Sequence, residues 1–395
     1  MNRIVFIAGL ILCGYYLNAQ HSSSDELLFT AIGGSDKPIL DEGMPGTENN
    51  YGGFEGGRCL KINGEYHLFP TELMGEKDTL KKEGEVSNVQ IKTQIGHWVS
   101  SDAVNWKRLG TLYKSSGNYA VSDYDNPVND RRASLWAFMP IFDDANNRWN
   151  AFYVAYTVRP GIAPTHCFGR LWHAVSEKHG LDGIGGPYKD VSVVLEPGMD
   201  TQLWEGRQGP DSFFPFKVGD KWYAFYGGAF SWTKPSDYPY NGKFGEWYIG
   251  LAASDSLRGP WMRMDTTINP VIVNTPSFVE NPIVSQLPNG LYIAIFDSGP
   301  DAYGFTNMLG YILSKDGIHW TPAKYLAFDT GIKRWWTTMR TPLCLIPQGN
   351  DVYTVLFNAR QENKRFQPMG LVRLKLNRKV LDKVFVDIES NGVNR

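Results

Sequence analysis

The sequence predicts an all-β fold, a five-bladed β-propeller built from four-stranded antiparallel blades. Two observations carry this. A strand–turn–strand unit recurs five times along the 395 residues, each followed by a third strand that ends in a turn of its own. The chain holds 41 Gly and 23 Pro, is 14% aromatic and only 20% charged, which suits short strands joined by tight turns and not helical bundles.

The units follow one another in order. The first runs Arg58-Cys59-Leu60-Lys61-Ile62, turns at Asn63-Gly64 and returns through Tyr66 to Phe69. The second pairs Ala137–Phe142 with Trp149–Tyr156, and the third pairs Ser212–Phe216 with Trp222–Tyr226 across Val218-Gly219-Asp220. The fourth joins Pro282–Ser285 to Leu291–Phe296 through Pro288-Asn289-Gly290, and the fifth joins Pro342–Ile346 to Val352–Phe357 through Gln348-Gly349-Asn350. Gly-containing turns of this kind supply the positive φ angles that tight hairpins need. Third strands follow at Ile95–Asp102, Leu171–Ser176, Tyr248–Asp255, Leu309–Asp316 and Gly370–Leu374, the first four leading to Trp106, Tyr188, Trp261 and Trp320, where an outer strand is expected. Repeats spaced by roughly 60 to 85 residues fit radial repetition around a channel.

A closed ring makes the first and last blades neighbours. Asp25–Ile32 is then the candidate outer strand of the last blade, and Cys59 and Cys344 fall on adjacent inner strands, as one disulfide or as two buried thiols. No cysteine or histidine spacing demands zinc.

Met1–Arg3, the apolar run Ile4–Leu12 and the sequence Leu17-Asn18-Ala19-Gln20 read as a secretory signal peptide over 1–20. Residues 21–395 then form a single propeller domain, periplasmic or extracellular, with no transmembrane segment. Leu before Cys13 argues against lipid anchoring at that cysteine. A net charge of −2 without a basic run argues against nucleic acid as a partner.

Inner strands of a propeller begin at the central channel, so side chains at their starts converge. The acids there are Glu55, Asp211 and Glu280, on the first, third and fourth units. Glycoside hydrolysis needs two carboxyls flanking the scissile bond, one donating a proton and one activating water or attacking. A third carboxylate beside the acid raises its pKa by like-charge repulsion. Arg58 and Arg340 are candidates for holding substrate oxygens, with a structural pair to Glu55 or a neighbour as the rival reading, and Trp136, Trp204, Trp335 and Trp336 for stacking on sugar rings, with core packing as the rival reading. His97, His173 and His319, on or beside third strands, read as structural. No metal ligand set is expected and no cofactor is required; a calcium ion in the channel finds no support in the spacing.

The segment Gly209-Pro210-Asp211-Ser212-Phe213-Phe214 resembles the Asp-centred signature of glycoside hydrolase family 43, and Val279-Glu280-Asn281-Pro282-Ile283 resembles that family's Glu-x-Pro acid signature. Propeller families 32, 117 and 130 are related alternatives. The resemblance implies a five-bladed propeller that inverts the anomeric centre, with Glu280 as general acid and Asp211 as the residue tuning its pKa. It places the general base at Glu55. Here Phe54-Glu55-Gly56-Gly57 departs from the family's Asp-Pro, so Asp123, Asp125 and Asp130 stay open as alternative bases. The expected function is an exo-acting glycosidase on arabinose- or xylose-containing plant or marine glycans. A non-catalytic carbohydrate-binding propeller of a glycan-uptake system and a propeller lyase or phosphorylase are the alternatives.

Overall fold

A computed structural model gives the fold and describes residues 27–74, 92–114, 134–157, 167–206, 208–229, 247–273, 279–297, 308–327 and 332–390. The expected signal peptide over 1–20, with Cys13, and the residues Asp123, Asp125 and Asp130 lie outside the described residues.

The chain forms five antiparallel sheets, one per predicted unit. The first blade is β2 (Phe54–Ile62), β3 (Glu65–Leu73), β4 (Thr93–Ser100) and β5 (Lys107–Lys114). The second is β6 (Ser134–Asp143), β7 (Arg148–Thr157), β8 (Cys167–His179) and β9 (Tyr188–Leu195). The third is β10 (Asp211–Val218), β11 (Lys221–Ala229) and β12 (Trp247–Ser254), with an outer strand in two pieces, β13 (Met262–Arg263) and β14 (Ile272–Val273). The fourth is β15 (Glu280–Gln286), β16 (Tyr292–Asp297), β17 (Met308–Ser314) and β18 (Lys324–Ala327).

The fifth blade mixes both ends of the chain. Its inner strand is split into β19 (Thr338–Pro342) and β20 (Ile346–Gly349), both paired with β21 (Val352–Arg360), which pairs with β22 (Met369–Leu376). The outer position is filled by β1 (Phe29–Gly34), antiparallel to β22 from Phe29↔Leu376 to Gly34↔Val372. The expected N-terminal latch is therefore present, shifted a few residues toward the C-terminus. Helix α1 (Arg378–Ser390) follows β22 and buries Leu381 against the core that the third, fourth and fifth blades share. No helix among the described residues is long and apolar enough to cross a membrane.

Apolar side chains on facing sheets fill the space between blades. Phe69, Phe138 and Tyr153 pack between the first and second blades, Phe152, Phe213 and Trp261 between the second and third, and Phe216, Phe225 and Trp320 between the third and fourth. Burying one such ring contributes roughly 1.5–3 kcal/mol. Glycines make room where rings lie flat on a strand. A Cβ added to Gly310 would overlap the Phe296 ring, and one added to Gly250 would meet the Trp204 indole at 2.5 Å.

Candidate functional site

The blades present their inner-strand starts through one repeated device. Each inner strand breaks register with its neighbour near its start: between Glu55 and Gly57, Trp136 and Met139, Asp211 and Phe213, Glu280 and Ile283, and Met339 and Pro342. In four blades the residue after the first of these has positive φ: Gly56 at 64°, Ala137 at 53°, Ser212 at 42° and Asn281 at 50°. A bulge of this kind re-aims a side chain and ends regular pairing. A left-handed backbone at a non-glycine residue costs about 1–2 kcal/mol, and three of the four carry that cost. The residues standing at the equivalent place are Glu55, Trp136, Asp211, Glu280 and, in the fifth blade, Met339, with Arg340 next to it.

The three acids predicted from sequence do converge. Arg340 Nη2 lies 2.7 Å from Glu55 Oε1 and 3.5 Å from Glu280 Oε2. Those two distances sum to 6.2 Å, an upper bound on the separation of these carboxylate oxygens. Arg340 Nε donates to Asp297 Oδ2 at 2.9 Å, and Thr341 Oγ1 donates to the same oxygen at 3.2 Å. Asp297 is wholly buried and stands directly opposite Glu280 across the β15–β16 pair. Glu55 Oε2 accepts from Gln367 Nε2 at 3.1 Å.

Glu280 is pushed well above the ordinary carboxylate range. Burial is the main cause, followed by the negative charge of Asp211 and a hydrogen bond between the two carboxyl groups; Arg340 opposes them. Two carboxyls in contact cannot both ionise readily, so a proton is retained between them. Asp211 is fixed in turn by Gln208, whose Nε2 donates at 2.9 Å, and by the Tyr156 hydroxyl, whose own pKa is raised by burial and by Asp211.

Several buried polar atoms around these acids have no protein hydrogen-bond partner among the described residues. They are Gln208 Oε1 and Ser212 Oγ beside Asp211, Gln367 Oε1 beside Glu55, and Asn358 Nδ2 on the amide whose Oδ1 accepts from Gly56 N. Buried polar groups are ordinarily satisfied, so such a cluster calls for a partner rich in hydroxyl groups or for water.

The other predicted residues separate. Trp136, half-buried, occupies the second-blade position equivalent to the three acids, and its Nε1 donates to Ser134 Oγ at 2.6 Å. Arg340 is 4% exposed, and its guanidinium is engaged by three carboxylates, so it organises the acids through the ion pair with Glu55 that stood as the rival to substrate contact. Arg58 donates to Pro140 O at 2.6 Å and stacks over the Phe214 ring at 4.6 Å, linking the first three blades, with no acid partner among the described residues. Burial pulls its pKa down to about 10.

Trp204 sits on a short 3-10 helix (Leu203–Glu205), with its indole over Gly228 and Gly250 and against Tyr226. Trp335 stacks on Phe357 at 6.3 Å, and Trp336 is buried against the same ring at 5.0 Å. Trp204 and Trp336 are buried in packing, whereas Trp335 is half-buried against Phe357 and Trp336. His97 bonds His67 at 3.1 Å and stacks on Phe69, His173 bonds Asn150 at 2.8 Å, and His319 bonds Asp316 at 2.7 Å. Among the described residues no group of three or more His, Cys, Asp or Glu side chains is arranged to hold a metal ion.

The fold is that of solved glycoside hydrolase propellers. An α-L-arabinofuranosidase from Podospora anserina, solved with cellotriose, is similar at a TM-score of 0.54 and 11% identity, over 89% of this chain and 99% of its own. A family 43 β-xylosidase/α-arabinofuranosidase from a compost metagenome gives 0.53 and 12%, over 86% and 94%. A family 117 glycoside hydrolase from the marine bacterium Zobellia galactanivorans gives 0.50 and 15%, over 88% and 89%. No family model and no curated protein matches the chain. At these identities the likeness is one of fold.

Proposed function

We propose that this protein is an exported, exo-acting glycosidase that inverts the anomeric centre of arabinose- or xylose-type residues in plant or marine glycans. The observation that carries the reading is the placement of Glu280, a buried carboxyl held against Asp211 and across Arg340 from Glu55, where burial and Asp211 raise its pKa. Glu280 gives its proton to the glycosidic oxygen as that bond breaks. Glu55 takes a proton from the water that attacks the anomeric carbon from the opposite face. Asp211 holds Glu280 protonated in the resting site, and Arg340 keeps the Glu55 carboxylate charged and in place. Trp136 offers the site its aromatic face. The 6.2 Å bound on these two oxygens lies just below the roughly 6.5–9.5 Å of inverting pairs and admits the roughly 5–5.5 Å of retaining ones. Inversion therefore rests on the resemblance of the Asp211 and Glu280 segments to family 43.

The test is incubation of the purified protein with arabinose- and xylose-containing oligosaccharides and marine glycans, with proton NMR following the first anomer released. Release of the inverted monosaccharide is expected. Release of the retained anomer would overturn the stereochemical assignment. A second reading, carbohydrate binding without turnover, is favoured by the engagement of both Glu55 oxygens, one by Arg340 and one by Gln367. Binding to a glycan array without product would establish that reading in place of the first.

A further inference from the structure

The first and last blades meet along a seam tied by hydrogen bonds. Phe54 N donates to Gln367 O at 2.9 Å, Gly56 N to Asn358 Oδ1 at 3.1 Å and Cys59 N to Leu343 O at 2.7 Å. Lower down, Lys61 Nζ and the Tyr66 hydroxyl share Gln348 Oε1 at 3.1 and 2.8 Å. Cys59 and Cys344 lie midway along this seam, 2% and 1% exposed, both as free thiols within one apolar cluster. The Cys59 thiol donates to Leu60 O at 3.9 Å and the Cys344 thiol to Thr354 O at 3.7 Å, and burial together with the neighbouring Cys344 raises the Cys59 pKa.

Their positions mirror the site. Cys59 follows Glu55 on β2, and Cys344 follows Arg340 in the break between β19 and β20, by four residues each, so the thiols stand behind the Glu55–Arg340 ion pair. Arg58, next to Cys59, carries a positive charge that acts on both thiols and has no acid partner among the described residues. A cation beside a thiol favours its reactive thiolate, but burial outweighs Arg58 here and holds the Cys59 thiol well above the ordinary thiol range while the seam is closed.

We propose that Cys59 and Cys344 form a disulfide that fastens the first blade to the fifth directly behind the Glu55–Arg340 pair. The reaction partner is a small-molecule disulfide such as oxidised glutathione. One cysteine thiolate attacks a glutathione sulfur, the glutathione S–S bond breaks, and one glutathione thiolate leaves and takes up a proton. The second cysteine thiolate attacks the protein sulfur of the mixed disulfide and releases the other glutathione. Two protein thiols are thereby oxidised and one glutathione disulfide is reduced to two thiols. Because both sulfurs are buried, exchange is gated by opening of the seam.

The bond would close a loop of nearly the whole propeller, where cross-linking restricts the unfolded chain most. It would also fix the first-blade acid against the fifth-blade arginine independently of β1.

The full chain is incubated, or refolded from urea, in oxidised glutathione or in dithiothreitol, then digested without reduction and mapped by mass spectrometry. The expected result is a peptide pair joined through Cys59 and Cys344, lighter by two hydrogens than its reduced parts. The oxidised form is expected to melt higher by about 5 °C. The difference should vanish in the Cys59→Ser/Cys344→Ser double variant. Recovery of both thiols unlinked after refolding in oxidised glutathione would overturn the proposal, as would preferential linkage of either to Cys13 or Cys167. A linked form that melts no higher than the reduced one would overturn the fastening role. The map needs no variant, so it decides even where the double substitution fails to fold.

Discussion

Replacing Arg340 with Met removes one charge from the centre of three acids. Its guanidinium contacts Glu55 at 2.7 Å, Asp297 at 2.9 Å and Glu280 at 3.5 Å, and Asp297 is wholly buried. Breaking a buried pair by removing one partner costs about 3–5 kcal/mol, because an uncompensated charge stays behind. Unfolding entropy of about 2.1 cal/mol/K per residue amounts to roughly 0.8 kcal/mol/K for a chain of this size, so the melting point should fall by about 4–6 °C at neutral pH. Arg340 also works against the upward shift of Glu280, so its loss pushes that carboxyl higher still. As pH falls and the acids take up protons, the missing charge matters less and the deficit should shrink. Thermal melts of both proteins at pH 7 and pH 4.5 measure this. Equal melting points at pH 7, or a deficit unchanged at pH 4.5, would refute the view that Arg340 holds the carboxylates together.

Three further outcomes follow from individual groups. In Asp211→Asn the charge that raises Glu280 is gone, so Glu280 should lose its proton at lower pH and the alkaline limb of the pH–rate profile should move to lower pH; an unmoved limb would dissociate Asp211 from the acid. His97 and His173 are held neutral by burial, each with its pKa lowered to about 4. Their stabilising effect is full above the ordinary histidine value near 6.5 and is lost as pH falls toward 4, by about 3 kcal/mol each, so His173→Gln should flatten the pH dependence of unfolding in that window. Gly310→Ala should cost about 1–3 kcal/mol by driving a methyl into the Phe296 ring, read as a lower urea midpoint with unchanged m-value.

Local signals in the sequence carried the architecture. Gly-containing turns separate the two strands of four hairpins, and the same period places Glu55, Asp211 and Glu280 on three inner strands that meet. The last blade's outer strand was legible because an apolar segment near the N-terminus had no partner of its own, although its limits moved to Phe29–Gly34. What stayed hidden depends on register and on contacts between blades. Asp297 pairs with Glu280 across a hairpin whose turn is plain in the sequence, but the intervening bulge shifts the count by one. Gln208, Gln367 and Tyr156 reach the acids from outside the inner strands, so no repeat position marks them. The pairing of Arg340 with Glu55 was open in the sequence as the rival to substrate contact, whereas its contacts with Asp297 and Glu280 depend on how the fourth and fifth blades face each other. Trp204 and Trp336 stand near strand starts in sequence, yet packing buries their indoles, and Trp335 is half-buried beside Trp336; of the four, Trp136 alone occupies a position equivalent to the acids.

The role of Glu280 is tested most directly by Glu280→Gln assayed on two substrates of one sugar, a natural glycoside and an aryl glycoside with a good leaving group. A departing alkoxide needs a proton, whereas a stabilised phenolate does not. Turnover of the natural linkage should fall by about 10²–10⁴-fold, and that of the aryl glycoside by far less. Equal losses on both substrates, or unchanged turnover of the natural linkage, would contradict Glu280 as the proton donor.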